Sequence, residues 1–352
     1  MLTPPSNKVW LALPARQRGI ALVTALFIFS LVTIAAVAMA ERQTLDMRRT
    51  ENLLHYDQAY MYALGAEAWA GQLLLQDPDP AVDHYGELPE EPLVVPVDGG
   101  SIAGYIRDAT ARFPLNSLID ANGNERKAYV DAFQRFFDFV VSDNKCGELE
   151  SFNPSLASVL LDWLDKNETP ASGGAEDPAY LGLDVPHRVA NHPMASISEL
   201  RSLSNIIAEE YNCLVARKDQ PPLVNAIPAA DVTINVNTAF PEVLQSLHVL
   251  IDDAVISALM EVRNEAKEKD EAPYKDVGKF RKDLLDEITQ GKTPDEITKI
   301  RAELVKIDLS VSSKYFEITS IAQIGRMQVT MISLLKRDGK KITTLRRSIG
   351  VN

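Results

Sequence analysis

The segment DWLDKNETPASGGAED sets Asp162, Asp165, Asn167, Glu168, Glu176 and Asp177 around two glycines and a proline. Several oxygen donors gathered by a flexible loop are what a hard cation such as calcium requires. The spacing departs from that of an EF-hand loop, so residue types alone leave two readings open, a cation site and a solvated acidic loop. The five histidines are His55, His84, His187, His192 and His248. His187 and His192 have a separation seen in zinc sites, but no cysteine pair accompanies them, which favours a structural or surface role. No GxSxG elbow, phosphate loop, HExxH helix or glycine-rich dinucleotide turn is present. The sequence offers no catalytic constellation, which points to a protein that is not an enzyme.

The elements that must carry these residues begin with a membrane segment. Ile20 to Ala40 runs without a charge and ends at Glu41 and Arg42, long enough to cross a hydrocarbon core of roughly 30 Å as a helix. Lys8, Arg16 and Arg18 precede it with no acidic residue, so the positive-inside rule puts the N terminus in the cytoplasm and the bulk of the chain outside. AVAMAE at 36–41 mimics a signal-peptide cleavage site, but the helical pattern continues through RQTLDMRR to LGAEAWAGQLLLQ, and a cut there would sever one helix. Cys146 and Cys213 both lie in the exported part, where an even count predicts a disulfide. Closing so long a loop stabilises by roughly 4 kcal/mol in the chain-entropy model. With 46% hydrophobic residues the chain has genuine cores, and its formal net charge of -13 repels phosphate backbones. Nucleic acid is thereby excluded as a natural partner.

RQRG followed by IALVTALFIFSLVTIAAVAMAERQTLDMRRTENLL resembles the leader and first helix of type IV pilins and of type II secretion pseudopilins. The resemblance implies cleavage by a prepilin peptidase between Gly19 and Ile20, with methylation of the new N terminus. Most of that family carries a glutamate at the fifth mature position, where this chain has Thr24. A subunit without that carboxylate has no pairing to make with the amine of a preceding subunit and suits the tip of a fibre. RRTENLLHYDQAYMYALGAEAWA, RFPLNSL at 112–118, DWLDKNETPASGGAEDPAYL at 162–181 and INVNTAFPEVLQSL at 234–247 are similar, in this order, to the K class of minor pseudopilins. In that class the acidic loop binds calcium, so the resemblance favours Asp162, Asp165, Asn167, Glu168, Glu176 and Asp177 as a structural cation site. The charged stretch from about 265 to 305 carries no such signature.

Periodicity predicts one helix from Ile20 to about Gln76, with Leu45, Leu53, Leu64 and Trp69 among its buried positions. The proline-rich DPDPAVDHYGELPEEP is a loop, and LVVPV and SIAGYIRDATARF are short strands with Ile102 and Ile106 on one face. Helical patterns follow in KAYVDAFQRFFDFVVSD, PSLASVLLDWLDK, SISELRSLSNIIAEEYN, AFPEVLQSLHVLIDDAVISALMEVRNEAK and DEITKIRAELVK. KYFEITSIAQIGR, MQVTMISLLKRD and KKITTLRRSI read as an antiparallel meander with an Asp-Gly turn in RDGKK. INVNTAFPEVLQSL resembles the first part of a helix-hairpin-helix unit, but its turn, HVLIDDA, lacks glycines and offers two aspartates where phosphate would approach. It reads as a packing pair in which Asn235 and Thr238 cap the helix start. RFPLNSL and INVNTA share a faint apolar, Asn, small-polar pattern and each leads into a helix, which leaves a duplicated helical unit as one open reading.

The fold class expected is α+β, a pilin-like fold with a long N-terminal helix packed on an antiparallel sheet and a large inserted α-helical domain. Its parts are a prepilin leader at 1–19, a transmembrane half-helix at 20–41, pilin-like segments at 42–115 and 307–352, and the insertion at 116–306. The resemblance implies a minor pseudopilin in the bacterial inner membrane, single-pass with its C-terminal domain in the periplasm. It implies a place at the tip of a short pseudopilus that exports folded proteins. Its partners would be the I and J minor pseudopilins, the major pseudopilin, the prepilin peptidase and the inner-membrane assembly platform. The alternatives are a minor pilin of a type IV pilus or competence system, and a signal-anchored periplasmic calcium-binding module.

Overall fold

The structure is a computed structural model that describes residues 18–88, 91–142, 146, 149, 151–216, 220–229 and 232–350. Residues 1–17, with Lys8, Arg16 and most of the expected leader, lie outside the described residues. Helix α1 (Arg18–Leu75) is followed by strands β1 (Leu93–Val97) and β2 (Gly100–Asp108). Next come β3 (Phe113–Pro114), α2 (Lys127–Ser142), α3 (Leu156–Leu164), α4 (Asp177–Tyr180), α5 (Ala208–Leu214) and β4 (Val224–Asn225). Then β5 (Ile234–Asn235), α6 (Pro241–Gln245), α7 (Asp253–Glu268), α8 (Val277–Ile288), α9 (Pro294–Leu304) and β6 (Leu309–Ser310) complete the helical part. The chain ends with β7 (Tyr315–Ile324), β8 (Met327–Asp338) and β9 (Lys341–Ile349).

The main sheet has the order β1-β2-β7-β8-β9 and is antiparallel throughout. Because β2 pairs directly with β7, everything between Asp108 and Tyr315 leaves the sheet and returns to it. Helix α1 lies over β7 and β8. Its alanines 59, 63 and 70 are buried with Leu74 against Ile318, Ala322, Ile324, Val329, Met331 and Leu335. Alanine at these positions lets helix and sheet approach closely. Alternation along β7 buries Phe316, Ile318, Ser320, Ala322 and Ile324 on this face. The expected burial of Leu45, Leu53 and Trp69 does not hold, since they are 53%, 65% and 47% exposed, and Leu64 is only half-buried. The sheet contacts only one stripe of α1 above residue 54, and the remaining apolar residues face outward.

Two expected helices are broken. SISELRSL forms a tight helical turn at Ile197–Ser202, closed by the reciprocal caps of Ser196 and Glu199, before α5 begins. The AFPEVL stretch splits into α6 and α7, with Asp252 capping α7 through the Val255 amide. Helix α8 forms inside the stretch that carried no recognised signature. Asn235 and Thr238 do not cap α6, which starts at Phe240 without a side-chain cap. Instead Asn235 accepts from the Asn237 amide and donates to the Asp83 carbonyl and Ser313 Oγ, while Thr238 bonds Asp108. These contacts fasten the insertion to the sheet.

The insertion shares one continuous core, with Tyr129, Phe133, Phe136, Leu160 and Phe280 fully buried. Its two halves are built alike. Strand β3 pairs in parallel with β4, and β5 in parallel with β6. Asn116 follows β3 and Asn237 follows β5, and each grips one distant backbone residue through both ends of its amide. Cys146, beyond α2, is bonded to Cys213 in α5, with 4.9 Å between their Cα atoms.

Candidate functional site

Asp162 lies in the last turn of α3 and Asp165 at its C-cap, a spacing that presents both on one side of the helix. The chain then loops through Gly173 and Gly174 and brings Glu176 back as the residue leading into α4. Gly173 has a φ of +82°, and a Cβ on Gly174 would run into the Asp162 carboxylate. The loop therefore wraps against the acid, which also accepts the Ala171 amide at 3.0 Å. Asp162, Asp165 and Glu176 are all buried. Neither oxygen of Glu176 has a hydrogen-bond partner. Burial, reinforced by the charges of Asp162, Asp165, Asp177 and Glu168, pushes the Glu176 carboxyl up to about 7. Asp162 is raised by burial and by the Asp165 charge, and Asp165 by burial.

Among the six expected ligands, the structure thus gathers Asp162, Asp165 and Glu176. Asn167 is exposed and turns its amide onto Asp165 at 2.8 Å, and Glu168 is exposed. Asp177 bonds Arg188 at 3.0 Å and the Val189 amide at 3.1 Å. A buried carboxylate with two orphaned oxygens, within the influence of two more acids, suits a hard oxygen-seeking cation, which would supply both the missing charge and the missing partners, although the oxygens of the three acids do not lie within 4.8 Å of one another as those of Asp77, Asp83 and Glu87 do.

A second acidic group, Asp77, Asp83 and Glu87, is differently served. Arg337 of β8 reaches Asp77 at 2.6 Å and Asp83 at 2.5 Å, and His84 meets Glu87 at 3.1 Å. This group ties the end of α1 to the sheet. Glu67 does the same some turns earlier on the helix, accepting from Ser333, Thr344 and two nitrogens of Arg347 at 2.5 to 2.8 Å. Sequence reasoning missed Glu67, although a lone acid in LGAEAWAG was the available signal. At the other end, Ile20 is 66% exposed in the first turns of α1, and Thr24 Oγ1 donates back to the Ile20 carbonyl at 3.0 Å. The helix is long and apolar enough in its first part to cross a membrane.

The family model described as type II secretion system (T2SS), protein K, matches residues 111–217. A type II secretion system protein K from Pectobacterium carotovorum subsp. carotovorum is 31% identical over 96% of this chain and 97% of its own length. Another from Aeromonas hydrophila is 33% identical over 95% of this chain and 98% of its own length. This chain belongs to the type II secretion system protein K family. The crystal structure of the GspK-GspI-GspJ complex from enterotoxigenic Escherichia coli contains a chain matched in full, over 86% of this one, with a TM-score of 0.67 and 25% identity. The α+β architecture with its long N-terminal helix is therefore that of a protein K, and the chain is a minor pseudopilin of a secretion system, a structural component. Among the described residues one helix is long and apolar enough to cross a membrane, which fits a single-pass anchor in such a component.

Proposed function

We propose that this protein K stands at the tip of the pseudopilus, where it starts assembly with the I and J minor pseudopilins and supports export of folded proteins across the outer membrane. The observation that carries this reading is the build of α1 and its load. The helix runs unbroken for 58 residues, its uncharged run from Ile20 to Ala40 is exposed throughout, and its second half carries a sheet from which a bulky helical insertion projects. Such a subunit can pack below through its helix, while the insertion stands in the way of a subunit above. Thr24 supports the same position, because its hydroxyl bonds within its own helix and offers no carboxylate to a preceding subunit. The protein breaks no bond itself. It sits in the inner membrane with its N terminus in the cytoplasm and its head in the periplasm. The Asp162, Asp165 and Glu176 pocket holds calcium, and Asn167, Glu168 and Asp177 of the same loop become donors only by leaving their present positions. The ion serves there as a structural staple that neutralises the acids and pins the loop between α3 and α4.

The deciding experiment is the N-terminal mass of the protein purified from membranes with and without the prepilin peptidase. A methylated Ile20 terminus that depends on the peptidase is expected. An intact Met1 terminus, or a cut near Ala40, would overturn the reading.

A further inference from the structure

The helical insertion carries a cleft of about 490 Å³ that follows one side of α2. Lys127, Asp131 and Arg135 recur on that side at intervals of four, so the cleft runs for eight residues, roughly 12 Å, along the helix. Its other walls are the turn between α6 and α7, at residues 247–249, and the end of α9 with the residues that follow it, from Glu303 to Ile307. The lining brings four cations, Arg126, Lys127, Arg135 and Lys306, and two carboxylates, Asp131 and Glu303. This is a positive spot on a chain whose formal net charge is -13.

Partnering decides which of these charges are available. Arg126 bonds Asp308 at 2.6 Å, and Lys127 bonds Asp131 at 3.0 Å. The Leu250 amide donates to Nδ1 of buried His248 at 3.1 Å, so the ring proton sits on Nε2 and goes to Glu303 at 3.2 Å. With both carboxylates of the cleft so engaged, Arg135 and Lys306 have no ion pair among the described residues. Arg135 is nonetheless held. Its Nε donates to the Ser246 carbonyl at 2.9 Å and its Nη2 to that of Leu247 at 3.4 Å. These bonds fix the guanidinium against the turn between α6 and α7 and leave Nη1 without a hydrogen bond among the described residues. Burial outweighs the attraction of Asp131 and Glu303 and holds the Arg135 guanidinium below its ordinary value. A fixed, partly desolvated cation with a spare donor is a group that a carboxylate completes.

The cleft also offers apolar surface. Val249 stands on its lip, 71% exposed, and buried Leu247 and Ile307 line it as well. A small anion would use the charges and leave Val249 bare, whereas a peptide uses both. A length of roughly 12 Å is that of about four residues of extended chain at about 3.3 Å each. We propose that this cleft binds a short acidic peptide segment of another protein, with one carboxylate on Arg135 Nη1, another on Lys306 Nζ and an apolar side chain on Val249. Docking of two copies cleft to cleft is disfavoured, because it would set cation against cation. The cleft lies wholly within the insertion, so this binding does not depend on where the subunit stands in the fibre.

The test uses the full-length chain in detergent and fluorescein-labelled ten-residue peptides, each with two glutamates set two, three or four residues apart among serines and leucines. Fluorescence anisotropy is expected to show saturable binding of at least one of them, and none of its version with glutamine in place of glutamate. Lys306→Gln changes an exposed side chain with no bond to lose, so it should weaken that binding about tenfold, the worth of one charge-assisted hydrogen bond, with the melting temperature unchanged. Val249→Asp should weaken it at least as much by setting a like charge on the lip. Inorganic phosphate should compete no better than sodium chloride of the same ionic strength. No binding of any peptide, equal binding of the glutamine versions, or wild-type binding by both Lys306→Gln and Val249→Asp would overturn the site. Displacement by phosphate beyond the effect of ionic strength would overturn it too, since the cleft would then be a small-anion site.

Discussion

Asn116 and Asn237 hold equivalent positions in the two halves of the helical insertion. Asn116 donates to the Met194 carbonyl at 2.9 Å and accepts the Met194 amide at 2.8 Å. Asn237 does the same to Tyr274, at 2.9 and 3.1 Å. Both asparagines are buried, and each follows a two-residue strand paired in parallel with the last strand of its half. The gripped residues also begin similar stretches, Pro193-Met194 leading to a turn capped by Ser196 and Pro273-Tyr274 to a helix capped by Asp276.

Asn116→Ala and Asn237→Ala should therefore each destabilise the chain by about 2 to 3 kcal/mol, because a buried backbone amide and carbonyl lose their partners together. Amide hydrogen exchange locates the damage. Protection should fall first at Met194 in one variant and at Tyr274 in the other.

The acidic pocket predicts a response to calcium. Adding about 10 mM calcium to detergent-solubilised, chelator-treated chain should stabilise it by roughly 1.4 to 2.7 kcal/mol, for a site of about 10⁻³ to 10⁻⁴ M affinity. Glu176→Gln removes one of the crowded charges, so it should melt higher than wild type in chelator and gain less from calcium. Thermal melts of both proteins, with and without the ion, decide this. Unchanged wild-type melting would remove calcium from the account.

Glu67 predicts a pH dependence. Burial alone would raise its carboxyl, but the bonds from Arg347, Ser333 and Thr344 outweigh it and hold the group below its ordinary value of 4.5. A depressed carboxylate stabilises fully above 4.5 and loses that contribution as pH falls through the folded value. Because Arg347 is half-exposed, Glu67→Gln should cost only about 2 kcal/mol near pH 7. Denaturant titrations at pH 7 and pH 4 should show the difference between wild type and variant shrinking in acid.

Much of the molecule was legible in its residues. The uncharged run from Ile20 to Ala40, the period-two alternation of the last three strands and the Asp-Gly turn at 338–339 are local signals, and local rules suffice to read them. The acidic loop was legible as a set of donors for the same reason. Only tertiary structure decided which donors converge. Asp162, Asp165 and Glu176 are buried together because α3 and the loop through Gly174 fold onto each other, whereas Asp177 is drawn off by Arg188. The burial of α1 was likewise beyond the sequence. Periodicity marks an apolar helix but not which apolar residues meet the sheet and which await another chain, and so Leu53 and Trp69 were assigned inward although they face out. The Cys146–Cys213 bond followed from an even count, while the seat of α1 on Glu67 and Arg347 joins residues far apart in the chain, and long-range pairings leave no periodic trace.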